Sequence, residues 1–401
     1  MKLRRVYVRG VGAITPLGAT WPLSVAALAE GKSAIKPVTH FDVCNFPCTV
    51  AAAIPERFTQ FSDRRLALAH AAAHEAWDAA GVSSNPEKTG IFLGAESGRA
   101  SLRTVFALAQ AAGGGSTFNH QQFGINARPL ASWIDASLAS PAAVTSALAR
   151  EFDVAGPAET ISLACASGAA AIAEGARAIR LGLCDVAICG GVGADVDPLM
   201  LAGFGQVGAL SARGISCPFD VYRDGFVVGE GAAIAILASE QGSATVEVAG
   251  EGRTLDGHHL TAPDPEGKGA IRSMQAALQA ANIQAVDYIQ AHGTSTPLND
   301  AVEAMAIRNV FGKHLDRMHI SSIKGALGHW IAGAGAIGFL CAIEAVTKGL
   351  VLPTANLLHP DPACGLPLVT GKAIQKEVET ALINSFAFGG ANCSLVVKRC
   401  A

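Results

Sequence analysis

Charge is scarce in this sequence and neither sign dominates: 30 Lys and Arg stand against 33 Asp and Glu, a net charge of −3 over 401 residues. That balance offers no global attraction to nucleic acid or to an anionic membrane, so an electrostatic partner must be met by a local patch. Long apolar runs are missing too. The best membrane candidate, Trp330 to Ile343, is too short to span a bilayer and half of it is Gly or Ala, which predicts a buried core helix instead. The opening MKLRRVYVRGVG is broken by glycine before it can form the apolar stretch of a secretory signal. Cysteine is present, ten in all, but without the paired spacing of a disulfide framework. Cys44 and Cys48 have no second pair to complete a zinc site, and the ten are expected to be reduced thiols in a cytosol. Low-complexity linkers and coiled-coil heptads are also lacking.

What is abundant is small and apolar. Half the residues are hydrophobic, 44 are glycine, and alanine is frequent, a composition that suits buried sheets covered by closely packed helices. Two halves follow a similar plan. RVYVRGVG (5–12) and VEVAGEG (246–252) are short apolar strands running into glycine; TGIFLGA (89–95) and YIQAHGT (288–294) are strands ending in a loop. Residues 160–182 read as a strand, a small-residue turn at Cys165 and an apolar helix, and residues 319–349 repeat that order with the turn at Lys324 to His329. Each half closes on a strand and a double glycine, Gly190-Gly191 and Gly389-Gly390. Strands alternating with helices predict α/β layers. The repeat predicts an internal duplication into residues 1–245 and 246–401, two packed βαβαβ-type halves whose sheets sandwich buried helices. Residues 97–150 interrupt the plan as a helical excursion.

The candidate chemistry sits at the turns. Cys165, in SLACASGAAAI, opens a helix after a strand. Unpaired N–H groups and the positive dipole end there favour a thiolate and are expected to lower its pKa. The alternative is a small buried hydrophobe. His292, in QAHGTSTPLND, lies on a loop at a strand end, where α/β proteins place chemistry, with Thr294 and Thr296 just beyond. Lys324 and His329 share SSIKGALGHWIAGAGA, and a Lys in such a segment needs water or a carboxylate partner. The GAGAIG that follows is formally GxGxxG, but it falls inside a helix with no strand leading into it, which argues against a dinucleotide site. Phe388, Gly389 and Gly390, in NSFAFGGAN, form either a plain turn or a place where a backbone N–H approaches a ligand. No GxSxG elbow supports a serine hydrolase.

Taken in order, VRGVGAITPLG, Phe41-Asp42, ACASG, CPFDVYRDGFVVGEGA, AHGTSTPLND, KGALGH and FGGAN resemble the β-ketoacyl-acyl-carrier-protein synthases, the condensing enzymes of fatty acid and type II polyketide assembly, over nearly the whole chain. The resemblance implies a thiolase-like five-layered α/β/α/β/α fold, a homodimer or a heterodimer with a paralogous subunit, acyl carrier protein as partner, and no metal or redox cofactor. It implies Cys165 as acylated nucleophile, His292 and His329 on the extender thioester, and Lys324 as electrostatic support with Glu303 its carboxylate partner. It further implies an oxyanion hole from the N–H groups of Cys165 and Phe388, Thr294 and Thr296 on the pantetheine arm, and Phe388 as gate. Arg64, Arg65 and Arg213 resemble carrier-docking positions. Gly338, nine residues after His329, stands where fatty-acid members carry glutamate; Ala387 and Ala391 also depart from the usual gate loop, and residues 213–218 are shorter than usual. These departures point to specialised synthesis. A non-catalytic chain-length-factor subunit shares the fold but lacks the nucleophilic cysteine.

Overall fold

The computed structural model describes residues 3–55, 61–83, 85–113 and 118–400. In chain order the first half holds β1 (Tyr7–Ile14), α1 (Trp21–Ala29), the short β2 (Lys36–Pro37) and β3 (Val50–Ala51), α2 (Arg64–Ala80) and β4 (Thr89–Gly94). The excursion follows as α3 (Leu102–Ala111), α4 (His120–Ala127) and α5 (Ala142–Glu151), with residues 114–117 outside the description. Then come β5 (Ala158–Ile161), α6 (Ser167–Arg180), β6 (Val186–Ala194), α7 (Pro198–Gln206) and β7 (Glu230–Ala238). The second half holds β8 (Val246–Leu255), α8 (Lys268–Ala281), β9 (Tyr288–Gln290), α9 (Pro297–Phe311), β10 (His319–Ser321), α10 (Lys324–Leu327) and α11 (Ala334–Lys348). The short β11 (Leu350–Val351) and β12 (Ile374–Gln375) precede β13 (Thr380–Phe386) and β14 (Ala391–Arg399).

The ten main strands run β10-β9-β13-β14-β8-β1-β7-β6-β4-β5, and the halves meet where Tyr7 of β1 pairs with Glu247 of β8. Counted within its own half, each set of five lies in the order third, second, fourth, fifth, first. Pairing sense repeats as well: β5-β4 and β4-β6 are parallel and β6-β7 and β7-β1 antiparallel, matched by β10-β9, β9-β13, β13-β14 and β14-β8. The duplication expected from the sequence is thus visible in the topology.

Helix placement completes five layers. α2 and α5 cover the outside of the first five strands, α8 and α9 the outside of the second five, and α6 and α11 lie between. The middle helices are buried almost all round, as their Ala- and Gly-rich sequences require. The stretch Ile331–Lys348 is long and apolar enough to cross a membrane, longer than the fourteen residues seen in the sequence, but it is this central helix and is 89% buried. GAGAIG also finds its use here. A Cβ on Gly335 would meet the Ala169 backbone nitrogen of α6 at 2.7 Å and Ser385 Oγ at 2.6 Å, so the glycine permits close packing between helices and sheet.

Candidate active site

The two middle helices begin at the same place. α6 follows Cys165 and α11 follows His329, so the repeated strand–turn–helix unit brings its two turns together at the centre. His292 reaches them from the loop after β9. The ligand-type atoms of Cys165, His292 and His329 all lie within 4.8 Å of one another, and the three side chains are buried.

Cys165 sits on a strained turn, since Ala164 before it takes φ +45°, a conformation that costs an L-residue energy unless its surroundings hold it. Glu96 supplies that hold. Its carboxylate accepts the Ala164 N–H at 2.9 Å and the Ser167 and Ser162 hydroxyls at 3.3 and 2.6 Å. The Phe388 N–H and the N–H of Cys165 itself face the sulfur. Phe388 is placed by a turn in which Gly389 and Gly390 have φ of +83° and +80°, so glycine is needed at both. Ala387 is extended, φ −125° and ψ 154°, and fits without strain.

The expected lowering of the Cys165 pKa is corrected by the structure. Burial pushes the thiol up to about 12, and the opposing pull of Lys324 and the Phe388 N–H does not overcome it. The helix end is present, but desolvation of a buried thiolate outweighs it.

Both histidines are held in one tautomer. The Ile331 N–H donates to His329 Nδ1 at 3.0 Å, and Lys324 Nζ lies 3.3 Å from His292 Nδ1 and also donates to the His292 carbonyl. A ring nitrogen that accepts leaves the other to carry the proton, so both residues present Nε2–H. Burial first, and the Lys324 charge second, hold both far below the ordinary histidine range, so the rings are neutral donors. Lys324 itself is lowered to about 8 by burial, against the upward pull of Glu303, Cys165 and Asp300.

Glu303, expected as the carboxylate partner of Lys324, pulls it upward and also anchors the His292 loop. Its two oxygens accept the His292 and Gly293 N–H groups at 2.8 and 2.7 Å, and Asn384 Nδ2 donates to it at 3.2 Å. Asp300, three residues earlier on the same face of α9, accepts the N–H groups of Thr294, Ser295 and Phe219. These buried carboxylates moor the loop that carries His292. Desolvation raises Glu303 to about 7 and raises Asp300 as well. His329 is anchored on the FVVGEGA segment, donating its N–H to the Val227 carbonyl at 2.8 Å and accepting from the Gly229 N–H at 3.0 Å. Its neighbour Trp330 is fully buried against Gly193, Gly229 and Gly231, where any Cβ would collide with it.

The cluster opens into a cavity of about 360 Å³. Thr294, Thr296, Asn299, Asp224, Phe226 and Phe388 line it, and Thr294 and Thr296 share a 2.8 Å hydroxyl contact there. Gly390 does not reach this lining; it packs on Asp256, and Gly389 donates its N–H to the Leu260 carbonyl. Gly338 lies against Gln290 and Ile383, so a longer side chain there must displace Gln290. One residue expected to dock the carrier, Arg65, is corrected. Arg65 is buried, because Asp63, the cap of α2, turns its guanidinium inward to bind Asp63 and the Glu96 carbonyl. Arg64 is bridged to Glu230 at 2.7 Å and donates to the Ile54 carbonyl. Arg213 stays at the surface, its guanidinium 5.6 Å from the Tyr222 ring.

A thiol flanked by two N–H donors, facing two neutral imidazole donors at the centre of five α/β layers, defines a thiolase-like condensing enzyme. The comparisons are specific. Residues 3–242 match the beta-ketoacyl synthase N-terminal domain and residues 245–358 its C-terminal domain, so the chain belongs to the beta-ketoacyl synthase family. It is 35% identical to the 3-oxoacyl-(acyl-carrier-protein) synthase 2 of Synechocystis, over 100% of this chain and 99% of that one. Among solved structures it is similar to the ishigamide ketosynthase/chain length factor, with 30% identity, TM-score 0.86 and all of both chains covered. It is also similar to AntDE:AntF, a type II PKS acyl-carrier protein in complex with its ketosynthase bound to the hexaketide, with 27% identity, TM-score 0.85 and 99% of both chains covered.

Proposed function

We propose that the chain catalyses decarboxylative Claisen condensation of a Cys165-bound acyl group with malonyl-acyl carrier protein, giving a 3-oxoacyl-acyl carrier protein. The observation that carries this is the pair of donor sets around one cavity: two backbone N–H groups at Cys165 Sγ and two imidazole Nε2–H groups opposite. In the first half-reaction Sγ attacks the thioester carbonyl, whose oxyanion the Cys165 and Phe388 N–H groups receive. The bond to the pantetheine sulfur breaks, and the proton of the thiol ends on that leaving sulfur. In the second, the malonyl C–CO2 bond breaks and its electron pair passes into an enolate whose oxygen His292 and His329 hold. The carbanion attacks the acyl-Cys165 carbonyl, the C–S bond breaks, and Sγ regains a proton from solvent. Decarboxylation supplies the carbanion, so no base need take a proton from carbon.

The substrates arrive on the phosphopantetheine of acyl carrier protein, with Thr294 and Thr296 hydrogen-bonding the arm, Phe388 gating the acyl pocket, and Arg213 on the docking face. The chain works as a dimer in the cytosol, with itself or a paralogous ketosynthase-like subunit. Support comes from the apolar surface of the excursion, where Phe106, Ile125 and Trp133 are exposed, and from the edge position of β5. The pathway we favour is specialised polyketide or polyene synthesis, on the departures at Gly338, Ala387 and Ala391. Ordinary fatty acid elongation is the second reading.

The test is intact-protein mass spectrometry with acyl-carrier protein. Wild type should carry one acyl adduct and Cys165→Ala none; an adduct on another cysteine would sink the assignment.

A further inference from the structure

Away from the active site, α2 and α5 bring together His70, His74 and Glu151, three side chains that the condensation chemistry does not use. The two histidines are four residues apart and share one face of α2. Glu151 is the last residue of α5 and lies across from them. Both ring Nε2 atoms point at the same carboxylate oxygen, 2.8 Å from His70 and 2.6 Å from His74. The rings lie 4.4 Å apart, tilted, between Phe61, 5.0 Å from His70, and Phe152, 5.0 Å from His74, which gives the cluster an apolar rim.

We propose that His70, His74 and Glu151 bind one divalent first-row transition ion of the zinc kind and that this ion clamps α5 to α2. Two imidazoles and a carboxylate are the donor set that suits such ions, and a His pair four apart on a helix presents both nitrogens to one point. The three ligand atoms lie within 4.8 Å of one another. Bonds of about 2.0–2.1 Å to a tetrahedral ion would space them roughly 3.4 Å apart, so each nitrogen would draw back from the oxygen by less than an ångström. The end of α5 contributes too, because the negative end of its dipole favours a cation near Glu151. All three side chains are partly exposed, 29%, 44% and 32%, so water can complete the coordination. The clamp would join the outer layer on the first half to the final helix of the 97–150 excursion.

Cys165, His292 and His329 also lie close enough to hold a metal, so the experiment uses the full chain carrying Cys165→Ala. Equilibrium dialysis against ZnCl2, followed by metal analysis, should find one equivalent per chain. Adding His74→Ala or Glu151→Gln should weaken binding by more than about tenfold, the least that loss of a direct ligand brings when even outer-shell changes cost as much. Zn2+ should raise the unfolding midpoint of the Cys165→Ala chain, and the rise should vanish with His74→Ala. The Co2+ complex should lack a thiolate charge-transfer band. No bound equivalent, equal affinity after His74→Ala, or a thiolate band would each overturn the proposal.

Discussion

At Cys165 two opposing influences meet, and burial wins over the helix end. A resting thiol near 12 makes a clear prediction about reactivity. Alkylation of Cys165 by iodoacetamide, followed by peptide mapping, should climb with pH from about 6 to 9 with no plateau, because the thiolate fraction keeps rising below its pKa. Exposed Cys44 labels in the same experiment and serves as the reference. A plateau near neutrality would show a thiolate stabilised by the helix end after all. Lys324→Ala should slow the labelling further, since the Lys324 charge is what lowers the thiol. The histidines carry a separate prediction. With Nε2–H fixed by Ile331 on one ring and Lys324 on the other, His292→Ala and His329→Ala should each permit acylation of Cys165. Each should lose CO2 release from malonyl-carrier protein by roughly two decades or more, the scale of losing an oxyanion donor. Normal CO2 release in His329→Ala would make that residue structural.

Elements explain which of these residues could be read from sequence. Cys165, His292, Lys324 and His329 were legible because each stands in a short motif at the turn of a strand–helix unit. Glu96 was not, because it lies far from Cys165 along the chain and only the pairing of β4 beside β5 brings it to the turn. The burial of Arg65 was hidden for a similar reason: its inward turn depends on Asp63 and the Glu96 carbonyl, and a charge at a helix start reads as solvated surface. The anchoring role of Glu303 needed the loop geometry. That anchor predicts a pH effect. Glu303 rises from an ordinary 4.5 to about 7, so the folded state binds the proton more tightly than the unfolded chain. Its contribution to stability is full below about pH 4.5 and is lost as pH rises to about 7. Glu303→Gln should flatten this decline in a series of unfolding midpoints against pH; an unchanged slope would assign the decline to other groups, Asp195 first, which burial also raises to about 7.

Strand–helix contacts show the same legibility. RGVG in β1 and AGEG in β8 were read only as strands running into glycine. The structure gives the reason for the glycines: Gly10 and Gly12 lie against the α2 backbone and Gly250 and Gly252 against that of α8, where a Cβ would overlap carbonyl oxygens. Gly12→Ala and Gly252→Ala should each destabilise by about 1–3 kcal/mol, the cost of overpacking, as measured by denaturant unfolding. A neutral result at either would mean the layers can part without loss.

For the whole molecule, the repeated strand order accounts for where the site is. Duplication places two strand–turn–helix units back to back, so their helix starts converge on one point; the first copy supplies Cys165 and the second His329. The third residue of the cluster, His292, comes from the loop after the second strand of the second half. The corresponding loop of the first half, after β4, carries Glu96, which accepts the Ala164 N–H. The proposed function places acyl transfer and condensation on one cysteine at this convergence. It is tested most directly by a single-turnover reaction of acyl-carrier protein with malonyl-carrier protein, following CO2 and 3-oxoacyl product together. Wild type should release one CO2 for each 3-oxoacyl-carrier protein formed, and Cys165→Ala should give no condensation product. Product formed by Cys165→Ala at the wild-type rate would contradict it.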